Sequence, residues 1–341
     1  MLNGEKRIKF EGEYLNGQKW NGIGFDIKGE KQYELKNGSG YIYEYDNSNK
    51  LSFEGEVIKG IKTGMAKEYI QGMLDFEGFY FNGKRQGKGK IYDYNGGRLW
   101  YEGDFINGKK NGYGKEYLDG CLDYKGEFID DQKNGKGKSY FSSIGKLYEE
   151  GIFFKNRLIK GKIYSGDGML REEVKYRNFA FDEYMTEFLW KGKIYNKRGI
   201  LEYEGTKLKG KMWNGIGYNP KGEKAFEIRN GIGRIKKYFS NGKIKLDADS
   251  IYGYIFGWGK EYYENGNIKY DGLLFYLGDE WGQWAIANKY DEEGKLIYSG
   301  KMMNGEEYIE PNQSYIKTKI MIIVIIIFFI AFDLIFNVKQ K

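Results

Sequence analysis

The sequence predicts an all-β protein, an elongated single-layer antiparallel meander of β-hairpin repeats followed by one C-terminal transmembrane helix. Three observations predict it. An aromatic, an acid and a glycine recur together along the chain, each time followed about a dozen residues later by Gly-x-Gly-Lys-x-Tyr. The 341 residues include 51 Gly and 32 Tyr but only two Pro, the composition of many short strands joined by glycine turns. Finally, residues 320–336 are apolar apart from Asp333.

The repeat decides the architecture before any single residue does. The aromatic anchors are Phe10, Phe53, Phe76, Tyr101 and Tyr124, returning as Tyr203 and Tyr270. From Phe53 to Tyr124 they step by 23, 25 and 23 residues. The second half of the unit is cleanest at Gly87-Lys88-Gly89-Lys90, Gly112-Tyr113-Gly114-Lys115 and Gly135-Lys136-Gly137-Lys138, and it recurs at Gly257-Trp258-Gly259-Lys260. Between the halves lies a stretch such as 107–112, dense in Asn and Gly, which reads as a six-residue hairpin connection. A single-layer sheet lacks a second layer to pack on. Rings lying flat over bare glycine backbone would take its place, so the seven aromatic anchors read as a structural stack.

The best copy of the unit, Tyr101-Glu102-Gly103-Asp104-Phe105-Ile106-Asn107-Gly108-Lys109-Lys110-Asn111-Gly112-Tyr113-Gly114, closely resembles the MORN (membrane occupation and recognition nexus) repeat. The resemblance covers roughly residues 8–305. It implies a fold and a habit of binding or scaffolding, and no reaction.

Organisation follows from where the repeat holds. A first array runs over 8–165. Residues 166–191 lose the register, with no glycine between 174 and 190, and read as an irregular insert or bend. A second array, with variant units toward its end, runs over 192–308. The two arrays look duplicated, because Trp20-Asn21-Gly22-Ile23-Gly24 reappears as Trp213-Asn214-Gly215-Ile216-Gly217. A linker over 309–319 leads to the hydrophobic segment 320–336, bounded by Ile320 and Phe336 with Ile327 and Phe328 at its centre. Seventeen residues at about 1.5 Å each span roughly 25 Å, at the short end of what a bilayer core needs. With five residues after it and no apolar run in 1–30, the expectation is a single-pass, tail-anchored protein with its repeats facing the cytosol.

Chemistry is sparse. With no His there is no imidazole base, no Ser-His-Asp triad and no histidine metal ligand. One cysteine, Cys121, excludes an intrachain disulfide framework and a cysteine-rich zinc site. The Gly-x-Gly pairs fail as phosphate loops: before Gly137-Lys138-Ser139 the required upstream glycine is Gln132. The protein is therefore expected to be no enzyme and to need no cofactor.

The formal net charge is +7. Lys19, Lys62, Lys84, Arg85, Lys109, Lys110 and Lys133 all fall in hairpin connections, which a meander places side by side. They form a candidate edge for anionic phospholipid, each cation contributing about 1 kcal/mol near such a surface. A MORN-like array behind a membrane helix implies a non-enzymatic scaffold or tether, contacting membrane, a protein partner or itself. The competing expectation is a regulatory or immunity-type protein that sequesters one specific protein. A glycan- or choline-binding array is a third, disfavoured without a signal peptide. Nucleic acid is not expected, because acids share the same repeats as the cations.

Overall fold

A computed structural model of the chain describes residues 9–93, 97–177, 189–208, 210–276 and 283–307. Among these residues there are 26 β-strands and no helix. The chain divides into two units, Met1–Gly210 and Lys211–Lys341.

In the first unit the strands Phe10–Leu15, Gln18–Phe25 and Lys31–Leu35 form a small antiparallel sheet. From Gly40–Tyr45 to Leu201–Leu208 every strand then pairs antiparallel with the next, an uninterrupted meander. In the second unit the meander runs from Lys211–Tyr218 to Glu306–Glu307.

The long Asn-Gly-rich connection resolves into two shorter devices. Asn107 and Gly108, with φ of 53° and 88°, make a two-residue turn between the paired Ile106 and Lys109. Both central residues are left-handed, the turn whose twist matches the flanking strands. Three residues on, the register shifts between Lys110 and Gly114, and Gly112 sits at φ 70° in the bulge. The expected six-residue loop is thus a tight turn followed by a bulged strand.

The second glycine of Gly-x-Gly and the glycine two residues after each aromatic anchor share a different task. Gly78, Gly89, Gly103, Gly114, Gly126 and Gly137 stand opposite one another across successive strands, a glycine ladder through the sheet. Rings lie on it. A methyl group added at Gly78 or Gly89 would come within 2.6 Å of the Phe76 ring, and one at Gly114 within 2.5 Å of the Tyr101 ring. Phe76, Tyr101 and Tyr124 are fully buried by this arrangement, and Phe53 is 1% exposed.

A second ring four residues later completes the core. Phe53, Tyr80, Phe76, Phe105, Tyr101, Phe128, Tyr124 and Phe153 form one unbroken chain of edge-to-face contacts, with centroids 5.2 to 5.9 Å apart. Each such pair contributes about 0.5–1.5 kcal/mol beyond its burial. The second unit packs differently, around aliphatic residues such as Ile228, Ile235, Leu246, Leu274 and Met302. There alanine takes the ladder position at Ala248 and Ala287, opposite Gly259, Gly272 and Gly300.

Residues 166–191, expected to be irregular, carry regular strands where they are described. Leu170–Arg177 and Leu189–Tyr195 pair from Glu172↔Ile194 to Arg177↔Leu189. The reason glycine is missing is that Val174 occupies the ladder between Gly161 and Gly192 with its own side chain buried. In its own strand Glu172 stands where the ring would start, so bare backbone is not required there. Residues 178–188 lie outside the described residues. So does the hydrophobic segment 320–336 with Ile320, Ile327, Phe328 and Phe336; among the described residues no helix is long and apolar enough to cross a membrane.

Candidate functional site

The hairpin turns of the first unit are tied to one another. Gly60 donates its N–H to Gly38 O, Gly83 to Lys62 O, Gly108 to Arg85 O, Asp131 to Lys110 O and Asn156 to Lys133 O, all at 2.8 to 3.0 Å. Consecutive turns therefore form a continuous hydrogen-bonded margin.

The pleat splits the seven candidate cations of that margin into two kinds, because neighbours in a strand point to opposite faces. Lys84 and Lys109 are exposed. The other five turn inward over the ring stack. Lys62 Nζ lies 3.6 Å from the Phe53 ring centre, the Arg85 guanidinium 4.2 Å from Phe76, Lys133 Nζ 4.6 Å from Tyr124, Lys110 Nζ 5.3 Å from Tyr101 and Lys19 Nζ 5.4 Å from Phe10. Acids hold four of them there: Glu44 pairs with Lys62, Glu68 and Asp75 with Arg85, Glu116 with Lys110, and both Glu116 and Asp123 with Lys133. Lys110 is only 7% exposed. These five cations lie as lids on the core, and of the seven only Lys84 and Lys109 are exposed on the margin.

Of the remaining anchors Tyr203 and Tyr270 are buried and Phe10 is half-buried. Phe10 stacks on Tyr33 at 6.4 Å and Tyr203 on Trp190 at 6.4 Å, while Tyr270 is 7% exposed beneath Lys269.

What the sequence reading missed on this margin is apolar. Leu15, Ile58, Phe81, Ile106 and Ile129 each precede a turn and are 46 to 57% exposed. Their signal was available, since each stands immediately before the turn pair. Together with Lys84 and Lys109 they make the margin amphipathic.

The outer face, away from the rings, carries a charge ladder. Glu54, Lys67, Glu77, Lys90, Glu102 and Lys115 stand opposite one another on six successive strands. Lys67 pairs with Glu54 at 3.3 Å, Lys90 with Glu77 at 3.2 Å and Lys115 with Glu102 at 2.7 Å. Tyrosines close the clusters: Tyr69 donates to Glu54, Tyr92 to Glu77, Tyr117 to Glu102 and Tyr164 to Glu150. The Tyr92 hydroxyl holds the Glu77 carboxyl below its usual range, and the Lys115 ammonium does the same for Glu102. Burial, then the Glu77 carboxylate, pushes Tyr92 up to about 12. Inside the core, burial raises Tyr101 and Tyr124 well above the ordinary phenol.

An open groove of about 540 Å³ runs along this face over the glycine ladder, walled by Glu77, Lys90 and Glu102 on one side and by Met65, Lys88 and Tyr113 on the other. Met65 and Tyr113 are 61% and 51% exposed. Among the described residues no group of Cys, Asp or Glu is placed to hold a metal ion.

The duplicated motif makes the same contacts in both units. Gly38 N–H reaches Trp20 O and Gly231 N–H reaches Trp213 O, each at 2.7 Å. Asn37 N–H donates to the Asn21 side chain at 2.8 Å, and Asn230 N–H to that of Asn214 at 2.7 Å.

Ring over glycine, paired two-residue turn and bulged return strand define an antiparallel β-hairpin repeat protein. The MORN repeat model matches residues 76–98, 101–121 and 124–143, so these three units are MORN repeats. No curated protein matches the chain. Among solved structures, the Photorhabdus luminescens Tc holotoxin pore is similar over 85% of this chain, at 10% identity and a TM-score of 0.17. The chain spans 17% of that protein's length.

Proposed function

We propose that the protein is a non-enzymatic, membrane-anchored scaffold: residues 320–336 cross one membrane, and the repeat sheet, on the cytosolic side, rests its turn margin on an anionic lipid surface. The observation that carries this reading is the margin itself. Five exposed apolar residues, from Leu15 to Ile129, are joined by exposed Lys84 and Lys109 along turns that are hydrogen-bonded into one row. Apolar side chains enter the headgroup region while lysines stay at its surface, the arrangement of interfacial segments in general. Each lysine contributes about 1 kcal/mol and is screened by salt.

Carbonate extraction with and without residues 315–341 tests the anchor. Release of the shortened chain into the supernatant is the expected result, and its retention as an integral protein would sink the anchor reading.

The groove favours a second reading, sequestration of a protein partner. Its apolar Met65 and Tyr113 and its alternating acids and lysines offer an extended segment both contact area and charge register. Binding of a protein partner lost on Tyr113→Ala and indifferent to changes at the turn margin would put this reading first.

A further inference from the structure

The outer face changes character after residue 125. In the earlier repeats Lys67, Lys90 and Lys115 each pair with an acid, and in the second row of that face Lys88 pairs with Asp104 at 2.7 Å. From the strand Gln132–Phe141 onward the second row reads Lys136, Ile152, Lys160, Lys175, Lys191 and Thr206, one residue per strand in direct register. Lys160, Lys175 and Lys191 are adjacent to one another and exposed, and among the described residues none of the three has an ion pair. Like charges directly opposed on neighbouring strands destabilise a sheet. Of the acids one row away, Glu150 is engaged by Lys138 at 2.8 Å and by the Tyr164 hydroxyl at 2.7 Å, Glu204 by Lys193 at 3.6 Å, and Glu173 stands opposite Lys162 and Lys193 in its own row.

We propose that Lys160, Lys175 and Lys191, extended by Lys136, form a binding site for a multiply phosphorylated anion. Strand spacing sets the three ammonium stems about 4.8 Å apart, so the row covers roughly 10 Å. Carboxylates on one face of an extended peptide recur about every 6.8 Å and fall out of step with it. Phosphoryl groups on neighbouring carbons of one small ring, or joined through a bridging oxygen, sit closer together and keep step. Each carries about −1.5 to −2 charges at neutral pH and three acceptor oxygens, matching the point-charge, three-donor chemistry of lysine. The row stands on paired strands, which hold the stems in register without a ligand. The site is distinct from the turn margin and does not rest on the lipid reading of that margin.

The test is calorimetric titration of the full chain in nonionic detergent with inositol hexakisphosphate, against inorganic phosphate and a poly-glutamate peptide. Hexakisphosphate is expected to bind, and the triple variant Lys160→Gln, Lys175→Gln, Lys191→Gln to weaken it at least tenfold. That variant removes like-charge repulsion, so its unfolding midpoint should be unchanged or higher. Changing Lys84 and Lys109 to Gln should leave this binding intact. Vesicles of phosphatidylcholine with phosphatidylinositol bisphosphate decide the source of the phosphates: binding displaced by hexakisphosphate assigns a lipid headgroup, and no vesicle binding assigns a free polyphosphate. Equal loss in both variants, hexakisphosphate binding no tighter than inorganic phosphate, or poly-glutamate binding tighter through the same lysines would overturn the proposal, the last in favour of an acidic protein.

Discussion

The guanidinium carbon of Arg85 stands 4.2 Å from the centre of the Phe76 ring, and the same group pairs with Glu68 and with Asp75. One side chain thus seals the core and neutralises two acids. Lys84, its neighbour, does neither.

Arg85→Ala should cost about 2 kcal/mol or more, because it strips two partly buried carboxylates of their cation. Lys84→Ala should stay within about 0.5 kcal/mol. Denaturant unfolding of both variants measures the difference, and equal midpoints would show that Arg85 is no lid.

Gly114→Ala is expected to destabilise by about 1–3 kcal/mol through overpacking. Its added methyl group meets the fully buried Tyr101 ring at 2.5 Å. Gly166 provides the control, since a methyl group there meets only Ile144 at 3.4 Å. Similar melting temperatures for the two alanine variants would contradict the ring-over-glycine account.

Stability should hold across neutral pH and fall on both sides. In the acid limb, Glu77, Glu102 and Glu150 are held below the ordinary 4.5, chiefly by Tyr92, Lys115 and Lys138 respectively. Depressed carboxyls contribute stability that is present above 4.5 and lost as pH falls below it. Glu149, raised by burial, works in the opposite sense and partly offsets this limb. In the alkaline limb, Tyr92 and Tyr164 are pushed up to about 12, first by burial and then by their carboxylate partners. Their contribution is full below the ordinary 10 and lost as pH rises from 10 toward 12. Unfolding midpoints against pH should therefore be steeper above pH 10 for the native chain than for the Tyr92→Phe, Tyr164→Phe variant. Identical alkaline limbs would refute the assignment.

Phe81→Ser, Ile106→Ser and Ile129→Ser together should weaken sedimentation with anionic vesicles while leaving the fold intact, because all three side chains are already about half exposed. Changing Lys84 and Lys109 to Ser should weaken it further and remove most of its salt dependence. Vesicle binding unmoved by either set would take the margin out of the lipid reading.

Much of this fold was legible because each letter of the repeat performs one local task. Tyr101 supplies a ring, Glu102 an outer charge and Gly103 bare backbone, and those tasks are set by strand alternation alone. Three features were not legible, for different reasons. Whether Lys84 or Arg85 faces the core depends on strand register, and the bulge at Gly87 alters that register in a way that spacing along one strand does not reveal. Tyr80, Phe105, Phe128 and Phe153 read as ordinary strand residues until the sheet set them between rings of neighbouring units. Residues 170–177 looked irregular for want of glycine, whereas Val174 fills the place a ring and a glycine fill elsewhere.

The edge-to-face chain has an arithmetic of its own. The first ring of each unit touches the second ring of its own unit and of the following one: Tyr101 meets Phe105 and Phe128, and Tyr124 meets Phe128 and Phe153. A duplicated block of 23 residues, spliced in at the Asp119–Gly120 turn, would present the same two contacts to its neighbours that Tyr101 and Phe128 now exchange. The array could therefore gain or lose whole units without any new kind of core contact, because each added ring meets only the partners that its neighbours already offer.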